Sequence, residues 1–140
     1  MKKLLIVLAL ALLASCKCKQ PADPQFTKEG ALDGNWMLEY VSGGDISGLY
    51  PGNPPSLFID LKQNRASGKN GCNNYSGPIT VVGNKITFSQ NMIVTKMACP
   101  GNSEKTFMDA IQKVDAYAIG TDGKLNLISG DIAIMRFVKN

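Results

Sequence analysis

From Ala31 onward the apolar positions come in short runs cut at close intervals by Gly, Asn, Pro and Asp, the rhythm of an antiparallel meander or small barrel. Trp36, Leu38 and Tyr40 alternate with Met37, Glu39 and Val41, so a strand there puts the first three on one face; Leu57, Ile59 and Leu61 alternate likewise against Phe58 and Asp60. Further strands are predicted over residues 65–68, 79–82, 85–89, 93–97, 117–120, 124–128 and 132–138. Gly83-Asn84 and Asp122-Gly123 are predicted as two-residue hairpin turns, since these residues accept the positive φ such turns need. One segment breaks the period of two: Phe107, Met108, Ile111 and Val114 fall on a single helical face. Asn102 or Ser103 can cap that helix, and Glu104 sits in its first turn, where the helix dipole favours a carboxylate by roughly 0.3–1 kcal/mol. The expected fold is mainly β (α+β): a small antiparallel curled sheet or barrel with one helix that plugs or covers an open side.

The N-terminus follows a different pattern. Lys2 and Lys3 precede an apolar run from Leu4 to Ala14, the arrangement of a secretion signal and shorter than the ~20 residues that span a bilayer. The sequence Leu13-Ala14-Ser15-Cys16 resembles the lipobox of bacterial lipoproteins. That resemblance implies cleavage before Cys16 and its lipidation, each buried CH2 contributing about 0.8 kcal/mol to membrane anchoring. A soluble secreted protein with a coincidental Cys is the alternative. Residues 1–15 are thus expected to be a lipoprotein signal peptide, residues 16–30 a lipidated N-terminus and flexible tether, and residues 31–140 the folded domain. Lys17 after the anchor implies, by the same resemblance, the outer membrane, with the domain facing the periplasm.

Composition narrows the chemistry. The 140 residues carry 15 Lys+Arg, 11 Asp+Glu and no His. The formal +4 falls by two when Lys2 and Lys3 leave with the signal, and without a basic run nucleic acid is not an expected partner. Lacking His, the chain cannot build Ser-His-Asp or Cys-His arrangements, and an enzyme is not expected. Of four Cys, Cys16 is the lipid anchor and Cys18 is spare. Cys72 and Cys99 are the natural disulfide pair of an oxidising compartment. A redox or metal pair is the alternative, but there is no CxxC and no third well-spaced ligand. Met92, Met97 and Met108 are assigned to core packing, and Glu39, Asp60, Glu104, Asp109, Asp115 and Asp131 form no evident acid–base pair. Neither metal nor cofactor is expected.

The most distinctive stretch is Ser67-Gly68-Lys69-Asn70-Gly71-Cys72-Asn73-Asn74-Tyr75-Ser76-Gly77. Physically it reads as a tight connection between strands, with Asn side chains bonding their own backbone and Gly71 allowing close approach of the disulfide partner. Gly68, Gly71-Cys72-Asn73, Tyr75 and Gly77 resemble the signature SGxxGCNxYxG of the META domain (HslJ-like) family. Other motifs match in order: Leu32-Asp33-Gly34-Asn35-Trp36, Thr95-Lys96-Met97-Ala98-Cys99, Glu104 with Phe107 and Ile111, and Leu125 with Leu127. Asn74 departs from the pattern, since many relatives carry a basic residue there. The resemblance implies a mostly antiparallel, barrel-like domain with one helix, exported and often lipid-anchored, in a family associated with heat or antibiotic stress, motility or virulence.

The leading expectation is a lipid-anchored, non-enzymatic envelope module that binds or supports another envelope component under stress, its domain monomeric. The alternative is a carrier of a small apolar ligand or lipid in the barrel, with Ile79, Val81, Ile93 and Ile134 lining either a filled core or a pocket.

Overall fold

The structure, a computed structural model, describes residues 31–140; the expected signal peptide, Cys16, Cys18 and the expected tether lie outside the described residues. Nine strands and two helices follow in order: β1 Gly34–Val41, α1 Ile46–Leu49, β2 Ser56–Asp60, β3 Arg65–Lys69, β4 Asn74–Val82, β5 Lys85–Phe88, β6 Ile93–Val94, α2 Ser103–Ile111, β7 Ala116–Ile119, β8 Leu125–Ser129 and β9 Ile132–Lys139. Eight of the strands close an antiparallel barrel in chain order. It runs β1-β2-β3-β4-β5-β7-β8-β9, with β9 returning to pair with β1. Among the described residues only β6 stands outside the ring, paired with β4 at Tyr75↔Val94 and Ser76↔Ile93.

Closure works because inward positions are large and apolar. Trp36, Leu57, Ile59, Tyr75, Ile86, Leu125, Leu127, Met135 and Phe137 are all at least 98 % buried, so an eight-strand barrel of this size is filled by its own side chains. As its apolar face predicts, α2 sends Phe107 and Ile111 into this core. The Phe107 ring lies 5.3 Å from that of Tyr75 and 6.5 Å from that of Phe137. Trp36 donates its indole N–H to the Leu32 carbonyl at 2.9 Å. Lys139 Nζ sits 4.4 Å from the Trp36 ring centroid and donates to the Asp33 carbonyl at 2.6 Å, fastening the last strand over the first.

Several local expectations are corrected. Trp36 and Leu38 face inward, but Tyr40 is 40 % exposed, because the β1–β9 register shifts between Leu38 and Tyr40 and such a bulge turns the following side chains over. The 122–123 turn is longer than two residues: Ile119 pairs with Leu125, and Gly120 donates to Lys124 O at 2.9 Å. Of the three methionines assigned to the core, Met92 and Met108 pack against it whereas Met97 is 58 % exposed. Ile93 likewise points outward at 74 % exposure, while Ile79 is buried and Val81 and Ile134 pack against the core. Both exposed residues belong to β6 and its extension, where only one edge and one face meet the barrel. The short α1 was not expected; the Asp45 carboxylate caps it by accepting from Gly48 N at 2.8 Å. At α2, Asn102 occupies the cap position without a side-chain cap bond.

Candidate functional site

The glycine- and asparagine-rich stretch is only partly a loop. Ser67, Gly68 and Lys69 complete β3, Asn74 to Gly77 begin β4, and the Lys69↔Asn74 pair leaves Asn70 to Asn73 as the connection. Asn70, wholly buried, holds this turn: its N–H donates to Asn73 O at 3.0 Å, and its Oδ1 accepts from Asn73 N at 2.8 Å and Cys72 N at 3.3 Å. Gly71 has φ +101°, and a Cβ there would lie 2.5 Å from the Tyr50 ring, so only glycine fits. At Gly68 a Cβ would meet the Ser56 carbonyl oxygen at 2.0 Å, so β2 leaves no room for a side chain there.

Asn73 is the centre of the cluster. It is 99 % buried, and every hydrogen-bonding position of its amide is used. Oδ1 accepts from Met97 N at 2.8 Å and from the Thr95 hydroxyl at 2.8 Å; Nδ2 donates to Met97 O at 3.2 Å and to Glu104 Oε2 at 2.7 Å. The two bonds to Met97 are those a facing strand residue would exchange. The side chain therefore continues the β4–β6 ladder beyond Val94, while Glu104 ties the same amide to the first turn of α2.

The Cys72–Cys99 disulfide closes the other side of this cluster, with Cα atoms 6.4 Å apart, within the usual span. Around it lie two adjoining depressions of about 290 and 380 Å³ that share Asn53, Gly71 and Cys72. A third, of about 350 Å³, lies on the far side of Ala98, beside Lys96, Met97 and Glu104. Gly71, Cys72, Asn73, Cys99, Glu104 and the Met97 backbone thus come together in three dimensions, whereas Trp36 and Tyr75 belong to the core, Gly77 lies along β4 against Met92, and the Met97 and Ala98 side chains face solvent. Asn70 and Thr95 complete the arrangement; both stand within motifs read from the sequence, but neither was given a role there, because what marks them is the burial of Asn70 and the bond from Thr95 to the distant Asn73.

The carboxylates are spent elsewhere. Glu39 pairs with Lys124 at 2.6 Å and Arg136 at 2.9 Å, and these partners, Lys124 foremost, hold it below the ordinary carboxylate range. Asp33, Asp60 and Asp115 accept backbone N–H groups, and Asp109 pairs with Lys105. Among the described residues no group of three His, Cys, Asp or Glu side chains could hold a metal ion, and no helix is long and apolar enough to cross a membrane.

Two phenols flank the cluster. Tyr50 donates to Ser103 O at 2.9 Å, and burial pushes its pKa up from 10.0 to about 12; Tyr75 donates to Ser56 O at 2.9 Å, and its deeper burial also raises its pKa. Both ionise more readily in the unfolded chain. The stability these phenols contribute is therefore complete below pH 10 and falls as the pH rises towards and through 12, where Tyr50 ionises in the fold. Thermal melts across that range, read beside tyrosinate absorbance, should show Tm falling before the last phenols titrate; a Tm flat from pH 9 to 12 would contradict it.

A family model described as META domain matches residues 29–140. Among solved structures, the chain is similar to an NMR structure of a protein from Burkholderia xenovorans, with 22% identity and a TM-score of 0.63, covering 100% of this chain and 99% of that one. A second NMR structure is 19% identical with a TM-score of 0.53, covering 74% of this chain and 86% of that one. At these identities the likeness is one of fold. No curated protein matches.

Proposed function

The chain belongs to the META domain family, and from that premise we propose that it is a lipid-anchored module of the bacterial cell envelope that binds or supports another envelope component under stress, without catalysing a reaction. Cys16 carries the lipid, the tether lets the domain stand off the outer membrane, and the domain faces the periplasm as a monomer. One observation carries the non-enzymatic reading: the buried Asn73 amide, the most connected polar group of the signature, has all its hydrogen bonds committed to holding β6 and α2. A group so saturated has nothing left to offer a substrate. A lipid carrier is the weaker reading, since Trp36, Phe107 and Phe137 occupy the barrel interior.

Metabolic labelling with a tagged fatty acid tests the anchor: the natural chain should take up label and fractionate with membranes, and Cys16→Ala should do neither. Persistent labelling of that variant would overturn the assignment of Cys16. Photo-crosslinking from surface positions in intact envelopes tests the rest. A discrete protein adduct supports binding, and a stoichiometric lipid recovered from the barrel would replace it with the carrier.

A further inference from the structure

We propose that the outer edge of β6 is a docking site where an extended, acidic segment of a partner protein adds as a strand; this rests on the reading of the domain as a binding module and names its surface. Among the described residues each ring strand has a neighbour on both sides, whereas β6 pairs only with β4. The antiparallel pattern decides which groups are free. Thr95 N donates to Asn74 O at 3.0 Å, Ile93 stands opposite Ser76, and Met97 is held by Asn73. Residues 93, 95 and 97 therefore turn their backbone groups toward the barrel. Val94 and Lys96 turn theirs away, an open row of donors and acceptors of the kind a strand adds to.

Side chains indicate what that strand carries. Lys96 is the sole charged residue between Lys85 and Glu104, and it makes no ion pair among the described residues. β4 beside it carries no charge, and Glu104, the nearby carboxylate, already accepts from Asn73. A lone Lys at a sheet edge opposes pairing with a second copy, which would bring another uncompensated Lys, and favours an acidic strand. Ile93 at 74 % and Met97 at 58 % exposure offer apolar contacts on the same segment, and the depression beside Lys96 and Met97 gives room for alternate side chains. Because Asn73 fixes the segment as far as Met97, little ordering is left to occur on binding.

The test follows backbone hydrogen exchange of the processed, lipid-anchored protein in detergent, with and without a short acetylated peptide alternating Glu and Val. Val94 and Lys96 amides should slow by about tenfold or more at saturation, with the effect weakening as salt rises. The same peptide with alternate amides N-methylated should give no protection, since it cannot complete the ladder. Lys96→Gln should weaken binding, and a Lys/Val peptide should not bind. Protection elsewhere, none at millimolar peptide, equal protection by the Lys/Val peptide, or self-association that protects these amides without peptide would each overturn the proposal. An envelope adduct mapping to another face would remove this edge while leaving the binding module intact; peptide protection with no envelope partner would do the reverse.

Discussion

Replacing Asn73 with Ala should destabilise the domain by about 3–4 kcal/mol, because it removes all four hydrogen bonds of the buried Asn73 amide, each worth roughly 0.5–1.5 kcal/mol net. Met97 N–H and the Thr95 hydroxyl lose their shared acceptor, and Met97 O and Glu104 lose a donor. For a domain of this size the loss corresponds to a fall in Tm on the order of 12–25 °C. Asn73→Asp separates this account from simple loss of packing. It keeps the volume but sets a second carboxylate where Nδ2 lies 2.7 Å from Glu104, so one of the pair must stay protonated. That variant should recover stability as the pH is lowered through the carboxylate range, whereas Asn73→Ala should not. Melts of both between pH 4 and 8 provide the comparison, and parallel behaviour would count against the bonding scheme.

Reduction of the Cys72–Cys99 bond is the second large effect. The cysteines are 27 residues apart, and loop-closure entropy assigns such a cross-link about 3–4 kcal/mol, a large part of the 5–15 kcal/mol typical of a domain. The loop holds β4, β5, β6 and the Asn73 contacts, so its release loosens the segment between β6 and α2 while β1, β8 and β9 keep their pairing. Melts with and without a dithiol reductant, repeated on Cys99→Ser, should show a matching loss. An unchanged Tm on full reduction would remove the bond from the account.

What the sequence disclosed and what it withheld divide along physical lines. Trp36, Leu57, Ile59, Phe107 and Ile111 were legible because their burial follows a local period, and the disulfide because Cys72 and Cys99 are the two cysteines of the folded domain. The bulge after Leu38 was not, since it depends on how β9 seats against β1 across most of the chain. Nor was the early start of β4: Asn74, Ser76 and Gly77 have little strand preference, and pairing with Lys69, Ser67 and Ala66 imposes the conformation. Met97 looked like core by composition, yet its segment pairs on one edge only. The signature's meaning was hidden for the same reason. Asn73 reads as a turn residue, but its importance lies in contacts with Thr95, Met97 and Glu104, which only folding brings near.

The Asn73 side chain stands in for a missing strand and fixes the segment from β6 as far as Met97. Residue-resolved hydrogen exchange of the protein reads this out amide by amide. Thr95 and Met97 amides should exchange slowly and together with the β4 ladder, while Val94 and Lys96, alternating with them along the segment, exchange at rates close to those of open loops. Met97 exchanging as fast as Lys96 would contradict the claim.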